Sequence, residues 1–132
     1  ALLVASKLYN VGQDIGFYGD HKNSAYIILN GLNFGFSHEQ KALIAAIIGT
    51  NGKKIIYEFE RYKNLLPKPE CIRWLSFMLS LAKALNINCA AAKLGFEFTG
   101  HTLKIYGAKN LAMAKDEIKK IAKPEIFAIS FI

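Results

Sequence analysis

The hydrophobic period of the chain changes near residue 90, and this change constrains the fold more than any other feature. Before it, apolar residues recur at intervals of three or four, most clearly over residues 72–85, whereas over residues 93–98 they alternate with polar or small residues. The first spacing is typical of a helix with one buried face, and the second of a strand. The sequence therefore predicts a mainly α fold, with a helical domain over residues 1–90 and a small β-β-α-β subdomain over residues 91–132.

Helix signals divide the first region into separate helices. Ser37 and Gln40 have the spacing of a capping box at a helix start, and Asn51-Gly52 supplies a stop for that helix. Prolines at positions 67 and 69 precede the longest helix, which ends near Asn86. Its predicted buried face comprises Ile72, Leu75, Met78, Leu79, Ala82 and Leu85.

The second region has the signals of a hairpin, a helix and a last strand. Thr99-Gly100-His101 separates two alternating segments and predicts the turn of a β-hairpin. Residues 108–123 have an amphipathic pattern that ends at Pro124, and residues 126–131 read as a strand. The predicted order is therefore strand, strand, helix and strand.

Charge is the strongest indication of a binding partner. Seventeen basic and ten acidic side chains give a formal net charge of +7, which predicts an anionic partner such as a polyphosphate, a nucleotide or an acidic domain. The lysines are scattered and form no dense block, which argues against nucleic acid. The longest apolar runs, such as Ala42–Ile48, are too short to span a membrane.

Two further features indicate the setting of the chain. Cys71 and Cys89 lack the C-x-x-C spacing of a zinc or redox site, and their apolar surroundings predict two buried thiols in a reducing cytoplasm. The sequence begins at Ala1 within an apolar helical pattern. We therefore expect it to be part of a longer protein.

Metal-dependent hydrolysis has little support from the residue pattern. The three histidines are His21, His38 and His101, and none is followed by an aspartate. One imidazole, His21, with the loop carboxylates Asp14 and Asp20 makes a poor set of ligands for a catalytic divalent metal. The sequence therefore predicts no catalytic residue and no metal site in this chain.

Four segments together resemble the C-terminal region of the exopolyphosphatase/guanosine pentaphosphate phosphatase (Ppx/GppA) family. They read LYNVG, DHKNSAYIILN, GFSHEQ and IIGTNGKK in chain order. The resemblance implies a helical domain of the histidine–aspartate (HD) type followed by a small mixed α/β unit. The positions that match the family's motifs are Leu8, Val11, Gly12, His21, Lys22, Ser24, Tyr26, Gly35, Phe36, Ser37, Glu39, Gln40 and Lys53.

The departures from that family pattern fall at metal-ligand positions. Tyr9-Asn10 stands where the family has its His-Asp or His-Glu pair, Asn23 replaces a second histidine, and Asn51 replaces a third. The resemblance therefore implies a degenerate HD-like domain that has kept its scaffold and lost its metal ligands.

What the resemblance implies for function is an accessory role in a bacterial, cytoplasmic phosphohydrolase. Catalysis and Mg²⁺ would belong to N-terminal actin-like domains outside this chain, and this chain would need no cofactor. It would help to hold polyphosphate or another polyanion, contact its own N-terminal domains and support a homodimer. The candidate contacts are Lys22 and Lys53 at basic motif positions, with the neighbouring candidates Lys54, Arg61, Arg73 and His21.

Two other functions remain open from the sequence. The chain could be a metal-dependent HD-type phosphohydrolase that acts on nucleotides or phosphate esters, or it could be a pure dimerisation module. These residues do not indicate whether the parent protein prefers polyphosphate or guanosine pentaphosphate as its substrate.

Overall fold

The computed structural model describes residues 1–51, 57–89, 93–108 and 111–132. It confirms the mainly α class, with a small sheet after the helices. The α-helices within the described residues are α1 (Leu2–Leu8), α2 (Asp20–Gly31), α3 (His38–Thr50), α4 (Pro69–Leu85) and α5 (Ala112–Lys120). Two short 3-10 helices, Val11–Asp14 and Tyr57–Tyr62, lie in the connections.

Three strands follow α4, as the alternating pattern predicted. They are β1 (Gly95–Thr99), β2 (Thr102–Tyr106) and β3 (Ala128–Phe131), in the spatial order β1-β2-β3. β1 and β2 pair antiparallel across the predicted turn, where Gly100 has a φ of +61°. β3 pairs parallel to β2 after the α5 crossover. The β-β-α-β order is therefore confirmed.

The helix α3 is the centre of the larger hydrophobic core. The capping box at its start is present in both directions, since the Ser37 hydroxyl accepts from the Gln40 N–H and the Gln40 side chain accepts from the Ser37 N–H. All its residues from Ile44 to Thr50 are buried, because α1, α2 and α4 pack around it. A helix that is apolar on every side needs such neighbours.

The helix α4 contributes to two cores, which corrects its predicted buried face. Ile72 and Leu79 belong to the core around α3, whereas Phe77 and Leu81 belong to a second core with the sheet and α5. A helix between two partners buries two faces, and one apolar stripe does not describe it. Two residues of the predicted stripe, Met78 and Ala82, are consequently exposed.

The two cysteines are exposed, so the prediction that both are buried was wrong. Cys71 lies in the first turn of α4, and Cys89 follows its end with a φ of +50°. Both positions lie at the ends of the helix, where the flanking sequence is apolar but the side chains point away from the cores. Among the described residues, no helix has the length and apolarity needed to cross a membrane.

Candidate functional site

A buried serine fixes the segment that carries Tyr9 and Asn10. The Ser24 hydroxyl donates to the Tyr9 carbonyl at 2.8 Å and accepts from the Gly12 N–H at 2.8 Å. A Cβ at Gly12 would lie 2.3 Å from the Ser24 backbone nitrogen, so the loop packs directly on the first turns of α2. Only glycine allows that approach.

The structure brings two of the four degenerate positions together around a lysine ammonium group. Lys83 Nζ, from the last turns of α4, lies 4.8 Å from the centre of the Tyr9 ring. It also donates to Asn51 Oδ1 at 3.3 Å, at the left-handed end of α3. The face of a tyrosine ring and the oxygen of a side-chain amide are both favourable partners for an ammonium group.

The electrostatic setting of Lys83 combines burial with a distant carboxylate. Partial burial lowers the pKa of the Lys83 ammonium, and the charge of Asp20 opposes that shift. Two unit charges about 4 Å apart interact by about 4 kcal/mol at an effective dielectric constant of about 20. A divalent cation placed next to a charged Lys83 would therefore meet about twice that repulsion. A tyrosine, an amide and an ammonium are a donor set that does not fit a catalytic metal.

Asp20 and His21, which the sequence offered as weak candidates for metal ligands, already have partners. Asp20 Oδ1 accepts from the His21 backbone N–H at 2.7 Å and lies 3.7 Å from His21 Nδ1. Asp20 Oδ2 accepts from Gln13 Nε2 at 3.4 Å. Within the ranges that the structure describes, no three histidine, cysteine or acidic side chains form a metal-binding group. The expectation that this chain needs no metal stays a prediction.

The other two degenerate positions lie beside the same loop. Asn10 is exposed and precedes the first 3-10 helix, and Asn23 is half-buried in α2 next to Gly12. The two histidines outside this region, His38 and His101, lie exposed in the first turn of α3 and in the hairpin turn. Neither joins the site.

The predicted contacts for a polyanion lie on separate elements, except that His21 and Lys22 are neighbours in α2. Lys22 is exposed in the first turn of α2, and Arg61 is exposed in the second 3-10 helix. Arg73 is exposed in α4 and pairs with Glu70 at 3.2 Å. Lys53 and Lys54 lie outside the described residues. No described hydrogen bond or ion pair joins one of the described candidates to another, so their role in binding stays a prediction.

Sequence reasoning missed a cleft between α4 and α5 into which Lys83 projects. Its volume is about 560 Å³, and its polar lining includes Tyr9, Asn51, Ser80, Lys83 and Lys120. One signal was visible in the sequence, because Lys83 is the only charged residue between Trp74 and Leu85. A lone charge in an apolar helix needs a polar partner or an opening to solvent. Its contact with Tyr9 was not visible, because that pair is separated by most of the chain.

Comparison with known proteins identifies the domain type. The model of the family described as Ppx/GppA phosphatase, domain III, matches residues 1–120. The match covers most of the chain, and so it confirms the resemblance found in the four sequence segments. No curated protein matches the chain.

Proposed function

We propose that this chain, which belongs to the Ppx/GppA phosphatase domain III family, is the accessory polyanion-binding domain of an exopolyphosphatase-related protein. In that protein, actin-like domains N-terminal to this one would hydrolyse phosphoanhydride bonds with Mg²⁺. This domain would hold the polyphosphate chain and contact those domains or a second subunit. It would not hydrolyse phosphoanhydrides by itself.

Family membership together with the net charge of +7 carries the binding part of the proposal. A linear polyanion releases counterions when spaced cations replace them, and this effect needs no deep pocket. Lys22 and Arg61 are exposed, and within the described part of the chain neither has an ion pair that binding would break. Arg73 would first have to leave or share Glu70, which makes it the weaker candidate.

The contact part of the proposal rests on apolar side chains that the fold leaves exposed. In the loop before α2, Phe17 and Tyr18 are 76% and 93% exposed and meet edge to face. In the C-terminal sheet, β1 is an edge strand and carries Phe96 and Phe98, both more than half exposed. Exposed aromatic groups and unpaired strand edges are features of protein interfaces.

An apolar groove beside β1 favours the assembly role as a second candidate function. Its volume is about 510 Å³, and its lining includes Trp74, Met78, Phe96 and Phe98. If the chain binds no polyanion, this surface would still make it an assembly module. The native mass of the chain over a dilution series tests that role, since a pure assembly module would form dimers that dissociate on dilution.

The direct test of the binding role is a titration with long-chain polyphosphate at low salt. We expect Lys22→Ala combined with Arg61→Ala to weaken binding by about a hundredfold, since each of the two charge-assisted hydrogen bonds contributes about 1.5 kcal/mol. The matched control combines Lys93→Ala with Lys119→Ala, which removes the same charge from exposed positions of the C-terminal unit. Equal losses in both double variants would mean that net charge alone drives binding, and no binding by the wild type would remove the role.

The metal-dependent hydrolase of the HD type is tested separately by elemental analysis of the purified chain. The proposal expects no stoichiometric transition metal, because an ammonium and two neutral side chains replace the ligands. One metal ion per chain, with hydrolysis of phosphate esters by the isolated chain, would overturn it.

A further inference from the structure

The cleft between α4 and α5 has the dimensions of a small-molecule site. Its volume of about 560 Å³ lies within the range of about 300–1,000 Å³ that ligand pockets occupy. One part of its wall is polar and carries Lys83, Lys120 and Asn51, and another part is apolar and carries Ala84, Ile87 and Ile121. A ligand that fits both parts has a charged group and an apolar body.

Two ammonium groups and one carboxylate give the cleft a formal charge of +1. Lys120 Nζ donates to Glu117 Oε1 at 2.5 Å, and Lys83 Nζ donates to Asn51 Oδ1 at 3.3 Å. An ammonium has three donor hydrogens, so each lysine keeps donors beyond the bond that the described residues give it. Partial burial also lowers the pKa of the Lys83 ammonium, and an anion beside it would reverse that shift.

A buried hydroxyl in the same wall has no hydrogen-bond partner among the described residues. Ser80 is only 8% exposed, and its Oγ is buried. No described residue forms a hydrogen bond with this oxygen. Such a group destabilises the fold if it stays unpaired. Ser80 precedes Lys83 by three residues on α4, so both side chains lie on the same face of the helix. Ser80 lines the cleft, but its Oγ has almost no accessible surface, so the hydroxyl would reach an acceptor bound beside Lys83 only after its side chain rotates.

We propose that this cleft binds a small phosphorylated molecule, with its phosphoryl group at Lys83, Lys120 and Ser80 and its organic part against Ile87 and Ile121. A phosphoryl group has several acceptor oxygens and up to two negative charges, which match two ammonium groups and a hydroxyl better than a carboxylate does. The site is separate from Lys22 and Arg61, and so it goes beyond the binding of a long polyanion.

Adenosine monophosphate is a suitable probe, because it joins one phosphoryl group through a ribose to a flat aromatic base whose faces can pack on apolar side chains. We expect calorimetric titration to show saturable binding to the 132-residue chain. Lys120→Met should weaken that binding by at least about tenfold. The control is Lys119→Met, because Lys119 is the next residue of α5, makes a similar pair with Asp116 at 3.1 Å and does not line the cleft.

Two further variants separate binding from folding. Ser80→Ala removes only the hydroxyl and should weaken binding about three- to tenfold. Lys83→Arg keeps the charge and should bind more tightly than Lys83→Met. Urea unfolding of each variant shows whether it is folded at the temperature of the titration.

Cys89 offers an independent readout, because it lies in the cleft and its thiol is exposed. Adenosine monophosphate should slow the alkylation of Cys89 and leave that of Cys71 unchanged. Absent binding, equal binding by the Lys120→Met and Lys119→Met chains, or equal protection of the two thiols would each overturn the proposal.

The cleft and the polyanion role fail separately in this design. If polyphosphate binds and adenosine monophosphate does not, the cleft proposal is wrong and the polyanion proposal stands. If adenosine monophosphate binds and polyphosphate does not, the polyanion proposal is wrong and the cleft proposal stands.

Discussion

Replacing Ser24 by alanine tests whether one hydroxyl fixes the loop that carries Tyr9. Ser24 is fully buried, and its hydroxyl joins the Gly12 N–H to the Tyr9 carbonyl. Without it, both backbone groups lose their partner, and an unpaired buried group costs about 1–3 kcal/mol. The hydrogen bond to the Tyr9 carbonyl is partly buried and the one from the Gly12 N–H is buried, so loss of the second carries the larger cost. We expect a total loss of about 2–3 kcal/mol.

Urea unfolding followed by circular dichroism measures this loss. For a chain of this size, the expected change corresponds to a Tm lower by roughly 10 °C, with the urea m-value unchanged. Ser6→Ala is the matched control, since Ser6 is exposed and its hydroxyl donates only to the Leu3 carbonyl at 2.8 Å. It should cost less than about 0.5 kcal/mol. Equal effects of the two substitutions would refute the reasoning.

Three other substitutions test individual contacts. Gly49→Ala should destabilise by about 1–2 kcal/mol in urea, because its Cβ would lie 2.8 Å from Phe59 Cε2 and 3.3 Å from Ala25 Cβ; a more stable variant would contradict this packing. Without ligand, Ser80→Ala should be neutral or slightly stabilising, since the described residues offer its hydroxyl no partner, and a loss above about 1 kcal/mol would reveal one. Burial lowers the pKa of Lys83 in the folded chain below 10.5, so the unfolded chain binds more protons at this lysine as the pH approaches 10.5. The free energy of unfolding, measured relative to that of Lys83→Met, should therefore rise as the pH increases toward 10.5. A flat or falling difference between about pH 8 and 10.5 would contradict it.

Local signals predicted most of the fold. The capping box at Ser37 and Gln40, the left-handed stop at Asn51 and the glycine turn at Gly100 all depend on residues within a few positions of each other. These interactions form wherever the local sequence allows them, so a pattern is enough to find them. The amphipathic pattern also predicted the last helix, although α5 is shorter at both ends than residues 108–123, and residues 109–110 lie outside the described part.

Features that depend on distant contacts were not predictable from local pattern. Which faces of α4 are buried depends on two cores built from both halves of the chain, and this decides that Met78 is exposed. The Lys83–Tyr9 contact joins the two ends of the helical region, and the cleft also needs α5. The family resemblance predicted replaced metal ligands at Tyr9 and Asn51, but only the packing of α4 shows that an ammonium lies between these two residues.

The salt dependence of polyphosphate binding by the unaltered chain tests the central claim most directly. If about three lysine or arginine side chains replace counterions, the logarithm of the binding constant should fall with a slope of roughly −2 against the logarithm of salt concentration. Between about 50 and about 200 mM salt, that slope corresponds to a roughly twentyfold loss of affinity. No binding at the lower concentration, or an affinity that does not change with salt, would contradict an accessory domain that holds a polyanion through spaced cations.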